Sequence, residues 1–244
     1  MRVLGGLEVT RADGTGVEPS AWGTSKTMDL LRILALEQGR AIRSSTLVGL
    51  LWPDVPPERG RGSLRTAASR IRVAIGADCV ARRHGELLLV NATVDVSELR
   101  QLAVAVRHAA ARRSWDETML LTETAETVYR GDFQASNDEA GWAVLAREDL
   151  RQVRLRILLD AAQCAIETGR FVEARDLAQT VVTVDPASET AHRNLMRAHA
   201  ELGEIGQAIR VFEGYRTVLA DELGIDPSRV TRELHLRLLQ DRTI

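Results

Sequence analysis

Apolar residues recur along this chain with two different periods, and the change of period divides it. Over residues 2–10, RVLGGLEVT, the positions Val3, Leu7 and Val9 fall mostly on one side of an extended backbone. That predicts a strand, bulged or bent at Gly5–Gly6. Residues 11–23 carry Gly14, Gly16, Pro19 and Gly23 and read as loop or a short second strand. From 26 to 38 the spacing turns helical through Leu30, Leu31, Leu34 and Ala35, with Gly39 where a helix ends. Residues 44–52 predict a short helix with Ser44 as N-cap, Leu47, Leu50 and Leu51 inward, and Pro53 as the stop. A longer helix follows over 57–75, with Leu64, Ala67, Ala68, Ile71 and Ile75 on one side and Gly76 closing it. Val80–Arg83, a His84–Gly85 turn and Glu86–Val90 then predict a hairpin. Strand, three helices and hairpin in that order is the layout of a winged helix-turn-helix. In that layout the third helix enters the major groove and the hairpin reaches a neighbouring groove or the backbone.

From about residue 94 the pattern is almost wholly helical. Leu99, Leu102, Ala103 and Val106 share one face, and Leu120, Leu121, Ala125 and Val128 share another. The polar stretch GDFQASNDEAG (131–141) interrupts, and a long helix runs from Trp142 to Thr168 through Leu145, Leu150, Val153, Ile157, Ala161 and Cys164. Gly169 and Gly203 lie 34 residues apart, as do Ala174 and Ala208, which is the period of tetratricopeptide helix pairs. Asp185–Pro186 and Asp226–Pro227 each read as an N-cap followed by proline at the first helical position. The last helix carries Val230, Leu234 and Leu238. The fold class is therefore mainly α, with a winged helix-turn-helix (α+β) over 1–93 and an all-α tetratricopeptide-like region over 94–244. No proline- or glycine-rich linker separates the two, so they are expected to pack together.

Composition narrows the picture. The 244 residues are 45% hydrophobic and 27% charged, an ordinary globular balance. The longest run free of Asp, Glu, Lys and Arg is the ten residues Ser44–Pro53, too short for a membrane span of about 20. No secretory signal opens the chain, and Cys79 and Cys164 form neither a disulfide framework nor a metal-ligand spacing. A reducing cytosol, no membrane, no metal and no cofactor are the expectations. Aromatic residues are only 4%, so Leu, Ile, Val and Ala must build the core, with Trp52, Trp115 and Trp142 read as core residues.

The net charge of −2 conceals an asymmetry: residues 1–93 balance at +4 and residues 94–244 at −6. Within 55–85 seven arginines face only Glu58 and Asp78. Arginine clustered on a short element is the footprint of phosphate contact. With Leu64 set toward the core at 100° per residue, Ala68, Ile71 and Ile75 fall within about 40° of it, while Arg59, Gly62, Thr66, Ser69 and Val73 point away. Arg65 and Arg70 flank that outer face, and Arg61 and Arg72 lie nearer the core edge as structural pairs or phosphate contacts. Arginine suits guanine, and Thr or Ser can donate to bases or phosphates. Arg82 and Arg83 on the hairpin are candidates for backbone or minor-groove contact, and His84 for a weaker role at the turn. Lys26, the only lysine, opens the first helix and is a candidate phosphate contact.

LVGLLWPDVPPERGRGSLRTAASRIRVAIG (48–76) resembles the DNA-binding part of the actinobacterial antibiotic regulatory proteins, the SARP family. The resemblance rests on Leu51, Trp52, Pro56, Pro57, Ser63, Leu64, Arg70, Ile71 and Arg72, and on VLADELGIDPS (218–228), YRGDF (129–133), Trp142 and Arg147 further on. It implies an OmpR-type winged helix followed by a bacterial transcriptional activator domain. Such a protein binds tandem direct repeats upstream of biosynthetic genes and recruits RNA polymerase holoenzyme. On that pattern Arg59, Arg65, Thr66, Ser69, Arg70 and Arg72 serve the recognition helix, and Arg82 and Arg83 the wing. Self-association as a homodimer on double-stranded DNA, close to the nucleoid, is also implied. Glu86 and Leu87 stand where the family's wing often has Gly-Tyr. Larger members carry a further ATPase or phosphopeptide-binding domain, and this sequence ends at Ile244.

Two other classes compete. A helical-repeat scaffold would bind a basic partner through the acidic 94–244 without specific DNA binding. An enzyme would need a site, and the sequence has no glycine-rich phosphate loop, no G-x-S-x-G and no H-E-x-x-H. The five histidines are scattered, and His192 and His199, seven apart, are read as packing residues.

Overall fold

The computed structural model describes residues 1–240. They form two compact units, Met1–Gln101 with Glu126–Gln152, and Leu102–Ala125 with the chain from Val153 onward.

The first unit is built around three helices, α1 (Ser25–Leu36), α2 (Ser44–Leu51) and α3 (Pro57–Ile75), and a small antiparallel sheet. The sheet has the order β1-β3-β2, with β1 Ile42–Arg43, β2 Val80–Arg83 and β3 Glu86–Leu89. Register runs from Val80 opposite Leu89 to Arg83 opposite Glu86, and Ile42 opposes Leu87. His84 and Gly85 both take positive φ, the backbone that a two-residue hairpin turn needs to match strand twist. α1 is capped by Thr24, whose hydroxyl accepts from the Thr27 N–H, and it buries Leu30, Leu31 and Leu34 completely. α3 starts at Pro57, where a missing N–H costs nothing, and turns Leu64, Ala67, Ala68, Ile71 and Ala74 inward. Gly60 permits the crossing of α2 and α3: a Cβ there would stand 2.5 Å from Val48 Cγ1.

Residues 2–10 are not a strand. The chain reverses at Gly5–Gly6, so that Arg2 and Glu8 exchange backbone hydrogen bonds of 2.8 and 3.0 Å with each other. Leu4 instead bridges to Phe133, and the third strand of the sheet is the two-residue β1. The buried Asp95 carboxylate accepts from the N–H groups of Val3 (2.8 Å), Leu4 (2.9 Å) and Val96 (2.9 Å). Burial pushes its pKa up and these hydrogen bonds pull it back down. Asp95 thus ties the start of α4 (Asp95–Ala111) to the N-terminus. The polar stretch 131–141 is anchored as well. Phe133 is fully buried, Ser136 N–H donates to Asp29 (2.9 Å), and Arg147 Nε donates to the Phe133 carbonyl (3.0 Å).

The second unit takes part of α4, of α5 (Trp115–Val128) and of α6 (Gly141–Glu167), then α7 (Phe171–Val184), α8 (Glu189–Glu201), α9 (Ile205–Leu223) and α10 (Arg229–Leu239). The 34-residue period is real at the level of single bonds. Arg170 N–H donates to Ala165 O and Glu204 N–H to His199 O, both at 2.8 Å, and Gly169 and Gly203 both take positive φ. Ala174 and Ala208 are fully buried, Ala174 against Ala165 and Ala198, and Ala208 against Met196 and Phe212.

Several details differ from the sequence pattern. Leu50, Leu120, Leu145 and Val230 are exposed rather than inward, while Val48 is buried. Trp52, Trp115 and Trp142 are half-buried, and the buried tryptophan is Trp22. The Asp-Pro pairs precede the helices instead of capping them. Ser188 and Ser228 are the N-cap residues, and Glu189 accepts from Ser228 N–H (3.0 Å) in the approach to α10. The fold class stands as expected, mainly helical with a small winged sheet.

His192 stacks on Tyr215 (4.3 Å between ring centres) and His235 on Phe212 (3.9 Å). Burial holds both imidazoles below their ordinary 6.5. Asp185 and Glu189 oppose this at His192, as Glu213 does at His235, where Arg216 reinforces it. The unfolded chain therefore takes up protons near 6.5 that the folded one refuses, so the stability these rings support is complete above that pH and is lost below it. Thermal unfolding followed by circular dichroism should give a Tm several degrees lower at pH 5 than at pH 7.5. Replacing both histidines by glutamine should flatten that difference.

Candidate nucleic-acid interface

The inner face of α3 is closed by aliphatic packing, which leaves its arginines to the flanks and the outer face. Their fates differ. Arg61 is ion-paired with Glu58 one turn earlier. Arg72 is half-buried, and its Nε donates to the Val80 carbonyl (2.9 Å), which fastens α3 to β2. Arg59, Arg65, Arg70, Arg82 and Arg83 have no hydrogen-bonded or ion-paired partner among the described residues. Elsewhere in the chain arginines commonly hold an acid, as in Arg100–Asp149 (2.9 Å), Arg112–Glu117 (2.6 Å) and Arg229–Glu233 (2.6 Å).

Two clefts flank α3, and no carboxylate lines either. The wing-side cleft, about 480 Å³, gathers Arg61, Arg65, Arg72 and Arg82 with Ser44 and Ser45 at the start of α2. The Ser44 N–H and hydroxyl both donate to the Gly85 carbonyl, at 2.9 and 2.5 Å, so the turn of the hairpin is bound to that helix start. The opposite cleft, about 280 Å³, gathers Lys26, Arg70, Thr66, Ser63 and Thr24 beside Trp52. There the Arg70 guanidinium lies over Gly23, where a Cβ would come within 3.1 Å of Nη1. Gly23 has a positive φ, which disfavours any other residue at that turn, and a side chain there would also push the guanidinium aside.

The structure therefore brings Arg65, Arg72 and Arg82 together on one side and Lys26, Thr66 and Arg70 on the other. Arg59, Ser69 and Arg83 are exposed and line neither cleft. Ser44 and Ser45 leave no sign of their place at this surface in the sequence, because β1, which aligns them with the hairpin, is too short to show an alternating pattern. Among the described residues no group of His, Cys, Asp and Glu is arranged to hold a metal. No helix of the described residues is long and apolar enough to cross a membrane. Cys79 is a buried free thiol whose pKa burial pushes up.

A winged helix with uncommitted arginines on its third helix and hairpin, continued by paired helices of 34-residue period, defines the class of protein. The chain belongs to the bacterial transcriptional activator domain family of SARP-type regulators, the family's model matching residues 94–239. The regulatory protein AfsR of Streptomyces coelicolor is 28% identical over 98% of this chain and 24% of its own length. DnrI of Streptomyces peucetius is 27% identical over 98% of this chain and 92% of its own. This chain thus spans about a quarter of the AfsR proteins and nearly all of DnrI. The solved structure of Mycobacterium tuberculosis EmbR, in complex with a low-affinity phosphopeptide, superimposes with a TM-score of 0.89 at 24% identity. It covers all of this chain and 65% of that one, and it bears out the fold.

Proposed function

We propose that this chain is a sequence-specific DNA-binding transcriptional activator. α3 lies in the major groove, the hairpin reaches the adjacent backbone or minor groove, and residues 94–244 recruit RNA polymerase holoenzyme. The observation that carries the reading is the set of five arginines left without partners on α3 and the hairpin, three of which, Arg65, Arg70 and Arg82, line clefts free of acid. Phosphate contacts position such a protein, and base contacts specify its site. Arg65, Arg72, Arg82, Arg83, Arg70 and Lys26 serve the first task, and Arg59, Thr66 and Ser69 the second. Two copies on tandem direct repeats, working at the nucleoid in the cytoplasm, complete the proposal.

The test is selection of duplexes from a random library by the purified chain, followed by titration of the recovered site at several salt concentrations. A recovered motif, bound with an affinity that falls steeply as salt rises, is the expected result. Light scattering of the complex counts the copies. Recovery of no motif, together with capture of a stable basic protein partner, would replace this reading by that of a helical-repeat scaffold.

A further inference from the structure

The outer stripe of α3 runs through Arg59, Gly62, Thr66, Ser69 and Val73, and Thr66 sits at its middle between flanks that carry Arg65 and Arg70. Its hydroxyl proton is already used: Thr66 Oγ1 donates to the Gly62 carbonyl, 3.2 Å away in the preceding turn. What the side chain has left to offer a groove is its γ-methyl and, on the oxygen, lone pairs that can only accept. Ser69, a turn further on, is different, for it is exposed and its hydroxyl has no partner among the described residues. In the major groove a base pair presents one apolar feature, the C5-methyl of thymine, and small apolar groups pack against it.

We infer that Thr66 is a specificity-determining residue that reads a thymine through methyl–methyl contact, with its hydroxyl serving the helix and not the base. This rests on the DNA-binding reading above and adds to it one base type and the atom that recognises it. Gly62 contributes by leaving the stripe beside Thr66 without a side chain, so a base edge can approach the methyl from that end. Arg65 and Arg70, held to either side, keep the residue centred between the two strands' phosphates.

The test uses the full chain and the duplex it selects from a random library. Each thymine of that duplex is replaced in turn by deoxyuridine, which removes the methyl and changes nothing else on the groove edge. At one position the wild-type affinity should fall about fourfold, the scale of one buried methyl group. Thr66→Val keeps a methyl and loses the hydroxyl, and it should retain that discrimination between thymine and uracil. Thr66→Ser keeps the hydroxyl and loses the methyl, and it should bind the two duplexes alike at that position. The opposite pattern, discrimination kept by the serine variant and lost by the valine variant, would overturn the inference. So would a site at which no uracil replacement is felt through residue 66. Failure to select any motif would instead strike at the DNA-binding proposal itself, before uracil enters the experiment.

Discussion

The double variant Arg65→Ala/Arg82→Ala should bind its selected duplex far more weakly than the wild-type chain, and its affinity should depend less on salt. Both guanidinium groups line the wing-side cleft and neither has a partner among the described residues. Each phosphate contact on B-DNA contributes about 0.9 to the slope of log affinity against log salt, so loss of two should lower the slope by about two. The loss should be nearly uniform across sequences, since phosphates carry none. The comparison is Arg229→Ala, which removes an arginine already committed to Glu233 and far along the sequence in α10. Binding by fluorescence anisotropy at three or more salt concentrations distinguishes the two. An unchanged slope in the double variant would remove this cleft from the interface.

The largest expected loss of stability follows Asp29→Ala. Asp29 and Arg32 are paired at 3.0 Å with side chains only 4% and 9% exposed, and Asp29 also accepts the Ser136 N–H. Taking away the acid leaves a buried guanidinium without a counter-charge, a loss of about 3–5 kcal/mol. For a chain of this size that lowers Tm on the order of 10 °C. Replacing both members by apolar residues, Asp29→Leu with Arg32→Met, should cost less than the single change, because no stranded charge remains. Thermal unfolding of the three proteins decides it, and a single variant no worse than the double one would contradict this account of α1. The effect should also reach the second cleft, since Lys26 and Thr24 stand at the start of the same helix.

Much of this was readable from spacing alone. α3, the hairpin turn and the 34-residue period depend on local periodicity and on glycines at fixed offsets, which the chain displays openly. The N-terminal segment was not readable in the same way. Leu4 finds its partner in Phe133, and the Val3 and Leu4 N–H groups find theirs in Asp95, both distant in sequence. Apolar positions misled where helices are apolar on more than one side. Leu120 and Leu145 continue a helical pattern but lie outside the core, because periodicity names a face without saying what covers it. The candidate interface is legible as a set of arginines and less so as individual roles. Arg61 and Arg72 were placed near the core edge by the helical wheel. The carbonyl of Val80, which fixes Arg72, and Gly23, which makes room for Arg70, lie on other elements and leave no trace in the pattern of α3.

The Ser44 bonds to the Gly85 carbonyl and the Arg72 bond to Val80 have a kinetic meaning. On the DNA-binding proposal, a hairpin fastened at its tip to α2 and at its base to α3 would meet the double helix already set, so that little ordering entropy would oppose capture. Lengthening the turn at His84–Gly85 should then be felt as slower, less selective landing.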